Sequence, residues 1–509
     1  MNGWIIAVMA IYLLGMIFIG WTFSKKSNNI SDFFLGGRKL GSLVTAMSAE
    51  ASDMSSWLLM GLPGLALACG IAEVSWTAIG LGVGTYLNWL FVAKRIRVYS
   101  DKINAVTIPE FFSKRFGDDK HIISLVAALV IAVFFVPYAA SGFNACGTLF
   151  NSLSGGSIPY FTAMLVSAIV IVTYTALGGF LAASTTDLIQ SIVMTIALVI
   201  VVFFGIHYAG GWDNVITNAH NIPSYLGLTT TYDYVNGTST DFGFLTILST
   251  LAWGLGYFGM PHILLRFMAI KDSSKLTSSR RIATVWVFAS MGIAILIGII
   301  GSAAIANGAI DLDAANGQRI IVEFAKLMGS HSVFLAIIGG IVLAGILAAT
   351  MSTADSQLLA ASSSVTKDFL IDFCHLKISD KGSMLLSRLI IVVIAVVGVI
   401  WARNEGSVFS IVSFAWGGFG AAFGPVVLCG LFWKRTNKWG AIAGMLGGGA
   451  MVFIWKYGIA KLGGAFAIYE LLPAFIFGLI LTVVVSLLTG KPDKEIVDTF
   501  DAVAEEIKA

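Results

Sequence analysis

The chain has 509 residues and only 59 charged side chains, 31 basic and 28 acidic, or 12% against about 25% in ordinary globular domains. Hydrophobic residues make up 57%, and there are 55 glycines. This composition excludes a disordered chain, a nucleic-acid binder and a disulfide-rich secreted domain, and it points to a polytopic helical membrane protein.

Apolar stretches of about 20 residues mark membrane-crossing helices. Thirteen are predicted, at 3–23, 42–66, 71–93, 122–149, 160–178, 184–209, 243–264, 284–306, 333–362, 386–402, 406–432, 440–458 and 467–489. The first lacks a basic n-region and a small-residue cleavage site, so it reads as a retained helix. An odd count puts the termini on opposite sides. Of the 31 Lys and Arg, 26 fall in loops on the side of the C-terminus, among them Lys25, Lys26, Arg38 and the run from Arg266 to Arg281. The positive-inside rule therefore predicts a cytoplasmic C-terminus and an external N-terminus. The loop 210–241 carries no Lys or Arg, as an external loop should.

The second span is interrupted by polar residues. Ser48-Ala49-Glu50-Ala51-Ser52-Asp53-Met54-Ser55-Ser56-Trp57 lies about ten residues in, with Gly61, Pro63 and Gly64 following. A continuous lipid-facing helix would not carry this run. A broken helix lining a cavity would, as would a polar helix packed inside a bundle. The seventh span is also interrupted, in Trp253-Gly254-Leu255-Gly256-Tyr257-Phe258-Gly259-Met260-Pro261-His262. Trp253 and Tyr257 are four residues apart and face one way, as a solute wall or as packing. The ninth span places Ser352, Asp355 and Ser356 on one helix face, one turn after the Ala349 carbonyl. Such an oxygen-only set suits a hard cation such as Na⁺; hydroxyl back-bonding to the helix is the rival reading.

Interrupted spans five apart suggest a five-plus-five inverted repeat, with the binding site at the two breaks. The division expected is 1–39 (first helix and cytoplasmic loop), 40–210 (first repeat), 211–241 (external loop), 242–433 (second repeat), 434–489 (two further helices) and 490–509 (cytoplasmic tail). In the tail, Ile496, Phe500, Val503 and Ile507 recur at helical spacing, so a solvated or membrane-surface amphipathic helix is expected there. The tail leaves no room for a signalling domain. Cys69, Cys146, Cys374 and Cys429 have no redox or metal spacing and read as packing residues. Asp187 and Asp355 lack the Y-D and G-x-G-D flanks of an intramembrane aspartyl protease, so no enzyme is expected.

The segments SDFFLGGRKLG (31–41), ASDMSSWLLMGLPG (51–64), Tyr174 to Gly179 with TTD (185–187), WGLGYFGMPHILLRFMA (253–269), LAATMSTADSQLL (347–359) and FAWGGFGAAFGPVVL (414–428) resemble the sodium/solute symporter family over essentially the whole chain. The resemblance implies an all-α membrane protein of thirteen helices with a LeuT-like 5+5 inverted repeat, one extra helix before the core and two after it. It implies Na⁺-coupled uptake of L-proline by alternating access in a bacterial plasma membrane. Another amino acid, a monocarboxylate or a sugar is the alternative cargo. It implies a monomer in the bilayer that binds no nucleic acid, with Na⁺ as the co-transported ion and no organic cofactor. By the same resemblance the sodium site comprises the carbonyls of Ala51, Met54 and Ala349 and the hydroxyls of Ser352 and Thr353. Asp53, Ser55, Ser56 and Arg38 would serve coupling. Trp57, Tyr138, Trp253, Tyr257 and Ser356 would line the substrate, and Asp187 with Asp355 could form a second cation site. The sequence departs from the family pattern at Ser56, Ser356 and Glu50.

Overall fold

The computed structural model describes residues 2–24, 30–404 and 406–508. Lys25 and Lys26, counted in the charge asymmetry, lie outside the described residues. The molecule is mostly helical. Among the described residues nine helices are long and apolar enough to cross a bilayer, or ten if the bent pair Phe244–Gly259 and Pro261–Ala269 is one span.

Thirteen predicted spans and nine or ten long helices differ for local reasons. The second span is split into Ser42–Ala51 and Trp57–Cys69, with the chain turning between them. The third, Ala72–Leu87 and its continuation to Lys102, carries Glu73, Thr85 and Asn88, which dilute its hydropathy. The fifth and sixth form one helical run, Tyr160–Tyr208, which is not straight. Gly179 has φ 66° and ψ −171°, a conformation that favours glycine. A Cβ built on Gly178 would lie 2.6 Å from that of Ala182, where a straight helix keeps such pairs about 5–6 Å apart. The run is thus two helices joined at a sharp bend.

The seventh span begins as Phe244–Leu251, tightens to a 3₁₀ segment over Ala252–Gly259, passes through extended Met260 and resumes at Pro261–Ala269, bent by 48°. Pro261 lacks the N–H to continue a ladder but suits a first helical turn, which is where it sits. Glycine lets this segment lie close to its neighbour: a Cβ on Gly84 would run into the backbone of Gly254, and one on Gly254 into the carbonyl of Gly80.

Two elements differ from expectation. Thr230–Asp233 and Thr238–Asp241 form an antiparallel hairpin in a chain expected to be all-α. The tail helix Lys494–Lys508 packs on the protein, not on solvent or membrane. Val503 and Phe500 are buried, Phe500 meets the Tyr99 ring and the Arg115 guanidinium, and Lys94, Lys102 and Lys434 bind Ile507, Glu506 and Asp501. Cys374 is exposed, so it does not serve packing as the other cysteines do.

Candidate functional site at the broken helices

The break in the second span begins where hydroxyls compete for the helix carbonyls. Ser52 Oγ donates to Ala49 O at 2.8 Å, and the Asp53 and Met54 amides both donate to Glu50 O. The ladder is diverted, and the Ala51 carbonyl is left to partners outside its own helix. Ser352 Oγ donates to it at 2.7 Å and Thr353 Oγ1 at 3.4 Å. The same two hydroxyls reach Ala349 O at 3.2 and 3.3 Å. Two carbonyls and two hydroxyls, all buried, thus converge from Ser42–Ala51 and Val333–Ser363. Hydroxyls can rotate to turn lone pairs toward a cation, and an oxygen-only set is what a hard cation takes. Met54 lies in the same break, but among the described residues no hydrogen bond joins it to this set.

Asp53 ties the break to the aromatic segment. Its Oδ2 accepts from Tyr257 Oη at 2.5 Å, and its carbonyl accepts from Trp57 Nε1 at 3.0 Å and Tyr138 Oη at 3.5 Å. Asp53 Oδ1 and Ser56 Oγ have no hydrogen-bond partner among the described residues. Ser55 Oγ accepts weakly from the Trp57 amide at 3.4 Å. Trp57 lies 6.3 Å from Trp253, which stacks on Tyr469 at 5.1 Å and touches Phe409 at 5.3 Å. Trp416 donates to Trp253 O at 2.7 Å and meets Tyr257 edge-on at 5.0 Å. Four of the five substrate candidates, Trp57, Tyr138, Trp253 and Tyr257, therefore share one aromatic wall around Asp53.

Ser356 belongs to a second cluster. Its hydroxyl meets Ser352 O at 2.9 Å, Asp355 Oδ1 at 3.0 Å and the Arg266 guanidinium. Arg266 is 1% exposed. It binds Asp187 Oδ2 at 3.2 Å, Ser48 Oγ at 3.0 Å and His262 O at 2.9 Å, under the ring of Phe180. Asp355 Oδ2 accepts from Tyr174 Oη at 2.9 Å. Asp187 and Asp355 belong to one cluster: Asp187 pairs with the guanidinium directly, and Asp355 is linked to it through the Ser356 hydroxyl. Arg266, expected among the cytoplasmic loop charges, is instead the centre of a buried ion cluster.

One end of the site is closed. Gly36, Gly37 and Arg38 all have positive φ, which turns Arg38 inward. Its guanidinium donates to Met268 O at 2.6 Å, Ala105 O at 2.8 Å and Ser100 O at 3.0 Å, and pairs with Asp101 at 3.3 Å. Burial and neighbouring Arg97 pull its pKa down, while Asp101 and Glu110 oppose this. Leu40 pairs with Ile270 nearby. At the opposite end a cavity of about 760 Å³ opens between Gly61, Gly64, Glu73, Gln318, Phe409 and Ser410. Phe409, on its wall, touches Trp253, so the aromatic wall is approached from this side.

The sequence alone does not point to Arg266, to Trp416, or to Thr85 and Trp89, which both donate to Glu50 Oε1 at 2.8 Å. Trp416 stands in the segment FAWGGFGAAFGPVVL (414–428), but nothing local marks the ring as a partner of Tyr257. Among the described residues no group of three or more His, Cys, Asp or Glu could hold a metal. The oxygen set above is of another kind.

The model of the Sodium:solute symporter family matches residues 33–448. The sodium/proline symporter of Haemophilus influenzae is 43% identical over 507 residues, covering 98% of this chain and 97% of its own. The osmoregulated proline transporter OpuE of Bacillus subtilis is 41% identical, covering 96% of each. Among solved structures, a Na⁺-coupled sialic acid symporter in a substrate-bound outward-open state aligns with a TM-score of 0.76 at 18% identity, covering 96% of this chain and 99% of its own. MhsT in complex with L-phenylalanine aligns with a TM-score of 0.53 at 13% identity, covering 88% and 98%. Likeness at such low identity is a likeness of fold.

Proposed function

Since this chain belongs to the sodium:solute symporter family, we propose that it carries L-proline across a bacterial plasma membrane together with Na⁺, by alternating access. The observation that carries the ion assignment is the convergence of the Ser352 and Thr353 hydroxyls on the Ala51 and Ala349 carbonyls at a helix break. Full-length identity to sodium/proline symporters supports the cargo.

In this reading sodium joins the broken helix to Val333–Ser363, with the Met54 carbonyl as a further ligand. Asp53, Ser55 and Ser56 relay its presence to the wall that receives proline. The apolar ring and the ammonium both suit aromatic faces. The carboxylate meets amides freed at the breaks. Coupling is differential affinity between states, and it is reciprocal. A potential of about 100 mV supplies roughly 2.3 kcal/mol per charge, and a tenfold sodium gradient about 1.4 kcal/mol. At one-to-one stoichiometry the two together support roughly 500-fold accumulation.

The chain is read as thirteen crossings with five-helix repeats at 40–210 and 242–433, the external loop 211–241 between them, and additional helices at 1–39 and 434–489. The tail 490–509 is read as cytoplasmic, and the charge asymmetry supports that orientation. The Arg38 end is then the closed cytoplasmic side and the cavity the open external one. Asp187 is read as the anchor of Arg266, and Asp355 as a hydrogen-bond partner of Tyr174 and Ser356, rather than the two as a second sodium site, because the guanidinium already supplies a cation to the cluster. The unit is taken to be a monomer.

Proteoliposomes test the whole reading. Uptake of labelled proline is expected with an inward sodium gradient and not without one, and excess unlabelled proline should compete where sugars and monocarboxylates do not. Sodium-independent uptake, or competition by another solute alone, would overturn it. Ser352→Ala should raise the sodium concentration for half-maximal uptake roughly tenfold, the scale of one lost bond to a charged partner. An effect confined to proline affinity would count against the site.

A further inference from the structure

Glu73 lines the large cavity, and neither the sodium set nor the aromatic wall uses it. Its place follows from the turn before it. The helix Trp57–Cys69 ends at Gly70, whose φ of 81° stops the ladder and lays the backbone against Tyr225. The Ile71 amide donates to Tyr225 O at 2.9 Å, and the next helix starts at Ala72. Glu73 falls in its first turn and is half-buried. Among the described residues no hydrogen bond or ion pair reaches its carboxylate.

An acid in a first turn suits the positive end of a helix, and that alone would make Glu73 structural. Its surroundings point further. Of the described residues that line the cavity, Glu73 is the one that carries a charge at neutral pH. Arg319 follows Gln318 and Arg403 shortly precedes Gly406, but neither is a lining residue. Asp233 stands beside the lining residue Tyr234, yet its own turn occupies it. Its Oδ1 accepts from the Val235 and Asn236 amides at 2.9 and 3.3 Å, and its Oδ2 from Asn236 Nδ2 at 2.6 Å. The rest of the wall is apolar or neutral, from Leu65 and Ala68 to Phe409, Gln318 and Ser410. A lone charge between low-dielectric walls focuses its field into the space before it and raises the local counter-ion concentration. Phe409 touches Trp253, so a cation collected here is next to the aromatic wall. Ionisable residues of membrane proteins that face an aqueous cavity mark ion paths.

We propose that Glu73 is an outer capture site for Na⁺, which draws the cation into the cavity on its way to the Ala51 and Ser352 set. The proposal rests on the symporter reading above, with this cavity as the external mouth. Glu73 governs how fast sodium arrives and not how many ions cross, so the stoichiometry is unchanged. It acts on the cation and not on proline, which as a zwitterion has no net charge to be drawn.

Initial uptake of labelled proline into proteoliposomes, at saturating proline and subsaturating sodium, tests this with electrolyte varied as N-methylglucamine chloride. At about 0.01 M ionic strength, where the screening length is about 30 Å, Glu73→Gln should take up proline about fivefold more slowly than wild type. Glu73→Lys replaces the attraction with an equal repulsion and should be about 25-fold slower. Both deficits should shrink below about twofold at 1 M, where the screening length is about 3 Å. They should also vanish at saturating sodium. Glu73→Asp should behave as wild type. Ser410→Asp, which returns a carboxylate to the cavity from the helix Val408–Phe432, should restore most of the rate lost in Glu73→Gln. A purely structural Glu73 would give deficits that neither electrolyte nor Ser410→Asp relieves, and that result would overturn the proposal. Wild-type rates in Glu73→Gln at low electrolyte would overturn it too, as would a raised proline requirement at saturating sodium. Absence of sodium-driven uptake in wild type would instead defeat the symporter reading.

Discussion

Asp53→Ala is expected to cut sodium-dependent proline uptake at least about 100-fold, equivalent to some 2.7 kcal/mol, while leaving the amount of protein in the membrane unchanged. The carboxylate is the link between the two interrupted helices. Removing it takes the acceptor from Tyr257 Oη and leaves that hydroxyl buried without a partner, at a cost of about 1–3 kcal/mol. The Asp53 carbonyl would still receive Trp57 and Tyr138, so the break itself survives and the protein should fold. Initial uptake rates at varied sodium, normalised to protein in the vesicles, are the measurement. Normal rates with unchanged sodium dependence would sink the assignment of Asp53 to coupling.

Arg266→Ala should act on stability before it acts on transport. Its guanidinium is the positive partner of Asp187 and a donor to Ser48, Ser356 and the His262 carbonyl. Breaking a buried pair by removing one partner costs about 3–5 kcal/mol, because the other charge stays buried uncompensated. The variant should lose most of its folded yield, and the purified remainder should unfold at a clearly lower temperature. Adding Asp187→Asn should recover part of the loss, since it removes the orphaned charge. A double-mutant cycle on thermal unfolding in detergent measures that coupling. Independent, additive effects would show that the two residues do not act as a pair.

The two helix breaks were legible because their causes are local. Ser52 diverts its own helix carbonyl, and Pro261 with Gly254, Gly256 and Gly259 interrupts a ladder within ten residues. Helical spacing picked out Ser352 and the Ala349 carbonyl but grouped them with Asp355 and Ser356, which join the Arg266 and Tyr174 side instead; Thr353 and Ala51 were implied only by the family resemblance. The Arg266 cluster was not legible, because Asp187 lies 79 residues away in sequence and Ser356 lies 90 away. Read alone, an arginine at the end of an apolar stretch looks like a topology signal. The break at Gly179 falls in the gap between the predicted spans 160–178 and 184–209; what hydropathy did not show is that one helical run continues across it. The hairpin 230–241 has a local signal, Asn236-Gly237 between Thr- and Tyr-containing runs, which is a turn sequence. The docked tail shows the limit of periodicity, which identifies an apolar stripe but not the surface that covers it.

The seam where Gly80 and Gly84 lie against Leu251 and Gly254 has a mechanical consequence. Most helix contacts in proteins interlock like gear teeth, so sliding one past another forces side chains to switch rotamers in steps. Here backbone meets backbone with no side chain between them. A side chain at Gly80, Gly84 or Gly254 would therefore wedge the segment carrying Trp253 and Tyr257 away from its neighbour, to which Asn88 also ties it by donating to the Tyr257 carbonyl at 3.0 Å, so the position of the aromatic wall is set by the absence of three β-carbons.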